Sequence, residues 1–344
     1  MKRRLFSVLL LATASLAAPV QAAPSGSGSA SCQRIELRVT LAPNAVAQHL
    51  VAGHLCRPRR ATTTLQVLLS GATYAGVYWD FPLDRPHHSY VEAMRRSGHA
   101  VLTLDRIGTG RSSHPPAAEV TFEAQVHTTH QVVQAARRGV FGGMRFKRVV
   151  TVGHSLGSAV ALVEAARHQD VDGLILTGFL AHATPVGAPE LLASLQPASL
   201  EPRFKDRPAG YLTNRPQTRG DLYYHRAGAR RAVIALDEAT KDTVTLRELS
   251  GLSAASQRSV DEAIRVPVLS VVGEFDNVFC ATSCQATSSP AFAERAHYPN
   301  APSFETYVQP NAGHVVNLHE TAPKWFAAAS DWLAREDAKA NAAR

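Results

Sequence analysis

Apolar and polar positions along this chain change period again and again, and the changes divide it into elements. Residues 35–41 alternate apolar and polar, the period of a half-exposed strand. Ala42-Pro43-Asn44 breaks that strand, and a second is expected to end near Cys56. Residues 65–70 form the first strongly apolar run and predict a buried strand closed by Gly71. A helix follows around 89–97 and stops at Gly98, then a strand at 100–104. A long helix is expected over 121–138, with Phe122, Val126, Val133 and Ala136 on one face. Residues 148–152 are β-branched and apolar, 159–168 carry apolar residues at helical spacing, and 173–176 read as a further strand. Strand and helix alternate throughout, which predicts an α/β fold with a mostly parallel sheet covered on both faces.

The rhythm then stops. Residues 179–265 offer no strand pattern, only helical pieces at 189–195, 232–241 and 256–264, with Pro197, Pro202, Pro208 and Pro216 between them. Thr245-Leu246-Arg247-Glu248 resembles a capping box. This is a helical insertion of more than eighty residues, large enough to cover an active site as a cap or lid. The alternation resumes with strands at 266–272 and 304–308 and a last helix at 322–334. The expected division is therefore a core of 32–178 and 266–335, a cap of 179–265, and a polar, fraying tail of 336–344.

Between the strand at 148–152 and the helix at 159–168 stands Gly153-His154-Ser155-Leu156-Gly157. A Gly-x-Ser-x-Gly at such a junction presents the serine on a sharp, strained turn, where the flanking chains approach closely and a Cβ at either glycine would clash. The bland alternative is a Gly-rich structural turn. The pattern favours a nucleophile: Ser155 is lifted clear of the sheet, and the Leu156 N–H is free to donate to an oxyanion.

A serine hydroxyl needs a base to take its proton and an acid to orient that base. Of fifteen histidines, His314 is best placed, on the Pro310–Val316 loop before the last helix, with Gly313 allowing a tight turn. His319 is nearby but is expected to begin that helix. The acid should lie on a loop at a strand's C-terminal end; Asp276 in Gly273-Glu274-Phe275-Asp276 is chosen, with Glu274 the alternative. Residues 174–179 offer no carboxylate at the other candidate position. A second oxyanion donor is expected after the first buried strand, from the N–H of Ala72 or, failing that, Thr73.

In the order and spacing of these motifs, with Asp105-Arg106-Ile107-Gly108-Thr109-Gly110-Arg111-Ser112 beside them, the chain resembles the α/β-hydrolase superfamily. The stretch from Gly71 to Pro82 looks like its exported bacterial, esterase- and lipase-like members. The resemblance implies that the insertion after the sixth strand is the cap. Many members carry His-Gly at the oxyanion loop where this chain has Ser70-Gly71, though a backbone donor does not depend on the preceding side chain. The expectation is a serine hydrolase of small-molecule carboxylic esters, with Ser155, His314 and Asp276 catalytic and no metal or organic cofactor required. Two other readings stand beside it: the same triad used for C–C cleavage or elimination, and a non-catalytic binding protein on a hydrolase scaffold.

Composition adds an address. Lys2-Arg3-Arg4, the apolar 5–18 and Val20-Gln21-Ala22 predict a signal peptide, residues 1–22, followed by a Gly/Ser-rich linker at 23–31. The apolar run is too short for a stable membrane anchor. Export makes disulfides plausible, and of three possible pairings the local one is expected: Cys32 with Cys56 and Cys280 with Cys284. The net charge is +8, and taking away the three positives of the signal peptide leaves +5. The basic runs at 57–60 and 226–231 lack interleaved aromatics, which argues against nucleic-acid binding. Gly108-x-Gly110 lacks the third glycine of a dinucleotide-binding loop. His127 and His130 lie three apart on a helix, but no carboxylate or cysteine in the sequence pattern completes a metal set, and a solvated or packed pair is expected.

Overall fold

Eight strands pair into one sheet, and the strands that run parallel in it carry the loops of the candidate site. The computed structural model describes residues 32–342 except 184 and 281, so the expected signal peptide and linker lie outside the described residues. In chain order the first six strands are β1 (Cys32–Val39), β2 (His49–Cys56), β3 (Thr64–Leu69), β4 (Ala100–Asp105), β5 (Arg148–His154) and β6 (Gly173–Thr177). Three short strands follow in the insertion: β7 (Leu195–Pro197), β8 (Tyr211–Asn214) and β9 (Val244–Thr245). The main sheet is completed by β10 (Val268–Gly273) and β11 (Phe304–Gln309), in the order β1-β2-β4-β3-β5-β6-β10-β11. β1, β2 and β4 pair antiparallel and the remaining neighbours pair parallel.

The apolar runs read as buried strands are buried on both faces. Along β3, Leu65, Val67 and Leu69 meet the helices Phe122–Arg138 and Leu156–His168, while Leu68 points to the opposite layer. That second layer is built from the helices Tyr90–Arg96 and Ala322–Ala342, with Tyr90, Trp325 and Trp332 fully buried. The period-2 alternation of side chains thus feeds two separate cores from a single strand. Helix ends follow their residues: the Ser89 and Thr121 side chains accept from the N–H groups of Glu92 and Ala124, and Gly139 turns the chain in the left-handed region at φ +79°.

Both local disulfides are present. Cys32 and Cys56 face each other at the open end of the β1–β2 hairpin, with Cα atoms 3.9 Å apart. Cys280 joins Cys284 in the loop after β10. No helix among the described residues is long and apolar enough to cross a membrane.

Three expectations need correction. The insertion 179–265 is not purely helical, since β7, β8 and β9 form a small antiparallel sheet within it. Runs of two to four residues are too short for periodicity to register. The chain from Glu336 does not fray but continues the last helix to Ala342, because Glu336 is buried and Arg148 pairs with Asp337 at 2.8 Å. His319 lies before that helix, which begins at Ala322. The capping box is present as read, and Glu248 also makes a buried ion pair with Arg106 that ties the insertion to the core.

Candidate active site

β5 ends at His154 and a helix starts at Leu156, leaving Ser155 to make the whole change of direction with φ +52° and ψ −118°. For a residue with a Cβ this is strained backbone, and it is held from several sides. The Ser155 N–H donates to the Thr177 carbonyl at 2.8 Å, and the Ser158 hydroxyl donates to the same oxygen at 3.0 Å. A Cβ on Gly157 would lie 2.2 Å from the Leu69 carbonyl oxygen, and one on Gly153 would lie 2.3 Å from the Ser158 Cα. Both glycines are therefore required by contact, as the spacing implied. Ser155 itself stays half-buried beside a cavity.

His314 sits on the loop after β11 and Asp276 on the loop after β10, two strands that are neighbours in the sheet. The His314 Nδ1 lies 3.1 Å from each Asp276 carboxylate oxygen, with both residues buried. Asp276 Oδ1 also accepts the Val278 N–H at 3.0 Å. Glu274 does not face His314; its carboxylate accepts the Asn311 N–H at 2.8 Å. Close packing between the two loops leaves no room for a Cβ on Gly273, which would lie 2.1 Å from the Gly313 carbonyl oxygen. Among the described residues no hydrogen bond links the Ser155 hydroxyl to His314. Such contacts are commonly loose until substrate closes the site.

His319 holds the His314 loop without facing the cavity. Its Nδ1 donates to the Val315 carbonyl at 3.0 Å, and its Nε2 accepts the N–H groups of Gly313 at 3.0 Å and His225 at 3.1 Å. That pattern requires the neutral ring, and burial pushes His319 down to about 4. A folded value below the ordinary histidine range means that, as pH falls from about 6.5 to 4, the unfolded chain takes up a proton that the native one refuses. Stability is therefore lost through that window, by on the order of 3 kcal/mol from this residue. The melting temperature is expected to fall between pH 6.5 and 4, and His319→Gln to make that decline shallower. Parallel slopes for the two proteins in a thermal melt series would refute the assignment.

Ala72 and Leu156 line the same cavity as Ser155, and among the described residues neither N–H is engaged in a hydrogen bond. The loop comes close to the serine at Gly71, where a Cβ would stand 3.1 Å from the Ser155 Cβ. Thr73, the alternative donor, has its carbonyl and side chain committed to the insertion: the carbonyl accepts the Asp242 N–H at 2.8 Å and the hydroxyl donates to Asn214 at 2.6 Å. Sequence reasoning missed what fixes this loop. Fully buried Arg219 grips Asp237 through two hydrogen bonds of 3.0 and 2.9 Å, donates to the Thr73 hydroxyl at 2.9 Å, and lies 4.0 Å above the Tyr74 ring. Nothing in the local pattern distinguishes Arg219 from the other arginines nearby; only its burial does.

The cavity has a volume of about 330 Å³. Its floor is Ser155, Leu156 and Ala72, and its walls include Phe179, Leu191, Leu249, Leu252, Val278 and Phe279. Most of these walls come from the insertion and from the loop carrying Asp276, so the site is mostly apolar, with Ser253 and Ser256 the other hydroxyl-bearing residues that line it. A larger depression of about 580 Å³ among Arg59, Arg60, Arg85, Arg95 and Arg96 holds no nucleophile.

The sequence pattern of the alpha/beta hydrolase family matches residues 66–329. Among solved structures, a highly thermostable carboxyl esterase from Bacillus coagulans superposes with TM-score 0.61 at 14% identity, covering 89% of this chain and 98% of that one. A thermophilic esterase from Thermogutta terrifontis gives 0.56 at 19% identity, covering 88% and 99%. A soluble variant of monoglyceride lipase from Saccharomyces cerevisiae gives 0.60 at 14% identity, covering 86% and 95%. At these identities the likeness is one of fold.

Proposed function

This chain belongs to the alpha/beta hydrolase family, and we propose that it is an exported serine hydrolase cleaving small-molecule carboxylic esters. One observation carries the reading: a buried histidine–aspartate pair is delivered by adjacent strand ends at the same edge of the sheet as a strained serine that lines an apolar cavity. Ser155 attacks the acyl carbon while His314 takes its proton, and Asp276 stabilises the imidazolium and keeps the Nδ1 proton on its own side. The N–H groups of Leu156 and Ala72 receive the oxyanion. His314 then returns its proton to the departing alkoxide, and a water activated by the same ring releases the acyl group. These steps need no cofactor. The segment 179–265 serves as the cap over the core of 32–178 and 266–335. A leader cut after Ala22 and two disulfides support export.

The apolar walls set the expected preference. Each acyl methylene that reaches them removes apolar surface from water, worth about 0.8 kcal/mol or roughly fourfold in kcat/KM. Rates on p-nitrophenyl esters from acetate to dodecanoate are expected to climb at about that rate until the cavity is full and then to decline, with the matching anilides turning over more slowly. A folded protein that hydrolyses none of the esters, and whose serine resists a fluorophosphonate probe, would overturn the proposal.

A further inference from the structure

Away from the serine, the fold assembles a second set of chemically loaded side chains. His130 lies on the helix Phe122–Arg138, Glu164 on the helix Leu156–His168, and Asp170 on the turn that follows. The imidazole Nδ1 of His130 is 2.8 Å from the Asp170 carboxylate and 3.8 Å from that of Glu164, and all three groups can offer one atom within 4.8 Å of each other. Glu164 is completely buried, yet neither of its carboxylate oxygens has a hydrogen-bond partner; His130 Nδ1 and Asp170 Oδ1 are also without one.

That arrangement is chemically incomplete. Glu164 is the one charged residue between 156 and 166, on a helix otherwise packed into the core. Buried carboxylates are paired, hydrogen-bonded or bound to metal. The surroundings order these groups: Gln134 donates to Asp170 Oδ2 at 2.6 Å, Arg137 donates to the Asp170 carbonyl at 2.8 Å, and the His168 ring stacks on His130 at 3.7 Å. Outer partners of this kind orient metal ligands.

We propose that His130, Glu164 and Asp170 form a binding site for a divalent transition-metal ion, with Zn²⁺ the ion that one imidazole and two carboxylates suit best. Tetrahedral ligands at ordinary zinc bond lengths stand about 3.4 Å apart, between the two separations found here. Glu164 closes the site on the inside, while His130 and Asp170 are partly exposed and leave a fourth position to water. The ion joins two core helices and the turn after the second. It lies about 13 Å along the helix from Ser155, nine residues at the α-helical rise, so its role is to brace the fold and not to react. Sequence spacing presented His127 and His130 as the pair; the fold pairs His130 with two carboxylates instead and leaves the His127 Nε2 bonded to the Thr40 hydroxyl at 2.8 Å.

The test uses the full, tag-free protein stripped with a chelator. Added Zn²⁺ is expected to bind with one-to-one stoichiometry in a calorimetric titration and to raise the melting temperature by on the order of 5 °C at a hundredfold excess over its dissociation constant. Glu164→Gln keeps the shape of the buried side chain and His130→Ala lies at the half-exposed edge, so both are expected to fold with an unchanged circular dichroism spectrum and to lose the zinc response. Failure of Zn²⁺ to bind or to stabilise the wild type overturns the proposal. So does an equal response in both variants, which would place the ion on other surface histidines.

Discussion

Ser155→Ala is expected to lower kcat for ester hydrolysis by about 10⁶-fold, the scale on which removing the nucleophile of a serine triad acts. Residual turnover would come from the oxyanion donors and substrate binding alone. The substitution removes one oxygen and leaves the Cβ, so it neither relieves nor adds to the strain of φ +52° at this position. The Ser155 hydroxyl makes no hydrogen bond among the described residues, while the contacts that hold the elbow run through its backbone N–H and carbonyl. Stability is therefore expected to change by less than about 1 kcal/mol. The decisive comparison is steady-state kinetics beside a thermal melt of the same preparation. An alanine variant that melts like the wild type and still hydrolyses esters within tenfold would remove Ser155 from the mechanism, and the triad with it.

What was readable from the sequence is what local geometry enforces. The elbow was legible because its two glycines answer to contacts within a few residues or at the neighbouring strand end, 2.3 Å at Gly153 and 2.2 Å at Gly157. His314 and Asp276 could be located because parallel strands put their following loops at one edge of a sheet, so naming the strands named the loops. The insertion resisted the same treatment. β8 is four residues long and β9 two, and the Arg219–Asp237 pair that fixes the Thr73 loop spans eighteen positions with no periodic signal. The end of the chain was misread for a related reason: the helix beyond Glu336 depends on Arg148, nearly two hundred residues earlier, for its ion pair to Asp337. Glu164 stood in plain sight, but its neighbours His130 and Asp170 are brought to it by helix packing and a turn, and only the fold makes the three a group. Chemistry attached to strand ends can be inferred from order along the chain; chemistry made by helix packing or by a cap cannot.

Asp276→Asn tests the acid of the proposed triad, and the expected loss in kcat is about 10⁴-fold. The carboxylate presents two acceptors to the His314 Nδ1, each at 3.1 Å, and thereby keeps the proton on that nitrogen. The Nε2 is then left as the acceptor that a serine proton requires. An asparagine can keep the Val278 N–H bond through its oxygen, in which case its amide N–H₂ meets the imidazole. The ring must then offer Nδ1 as an acceptor and carry its proton on Nε2, where it cannot act as base. The volume is unchanged and the buried site loses a charge, so the fold is expected to survive while the chemistry fails. Glu274→Gln supplies the control, because that side chain serves the Asn311 N–H and can do so as an amide; its rate is expected to stay within a few-fold of wild type. If instead Glu274→Gln fell by orders of magnitude and Asp276→Asn stayed active, the acid would have to be reassigned along this loop, and His314 would need a different orientation from the one its buried partner now enforces.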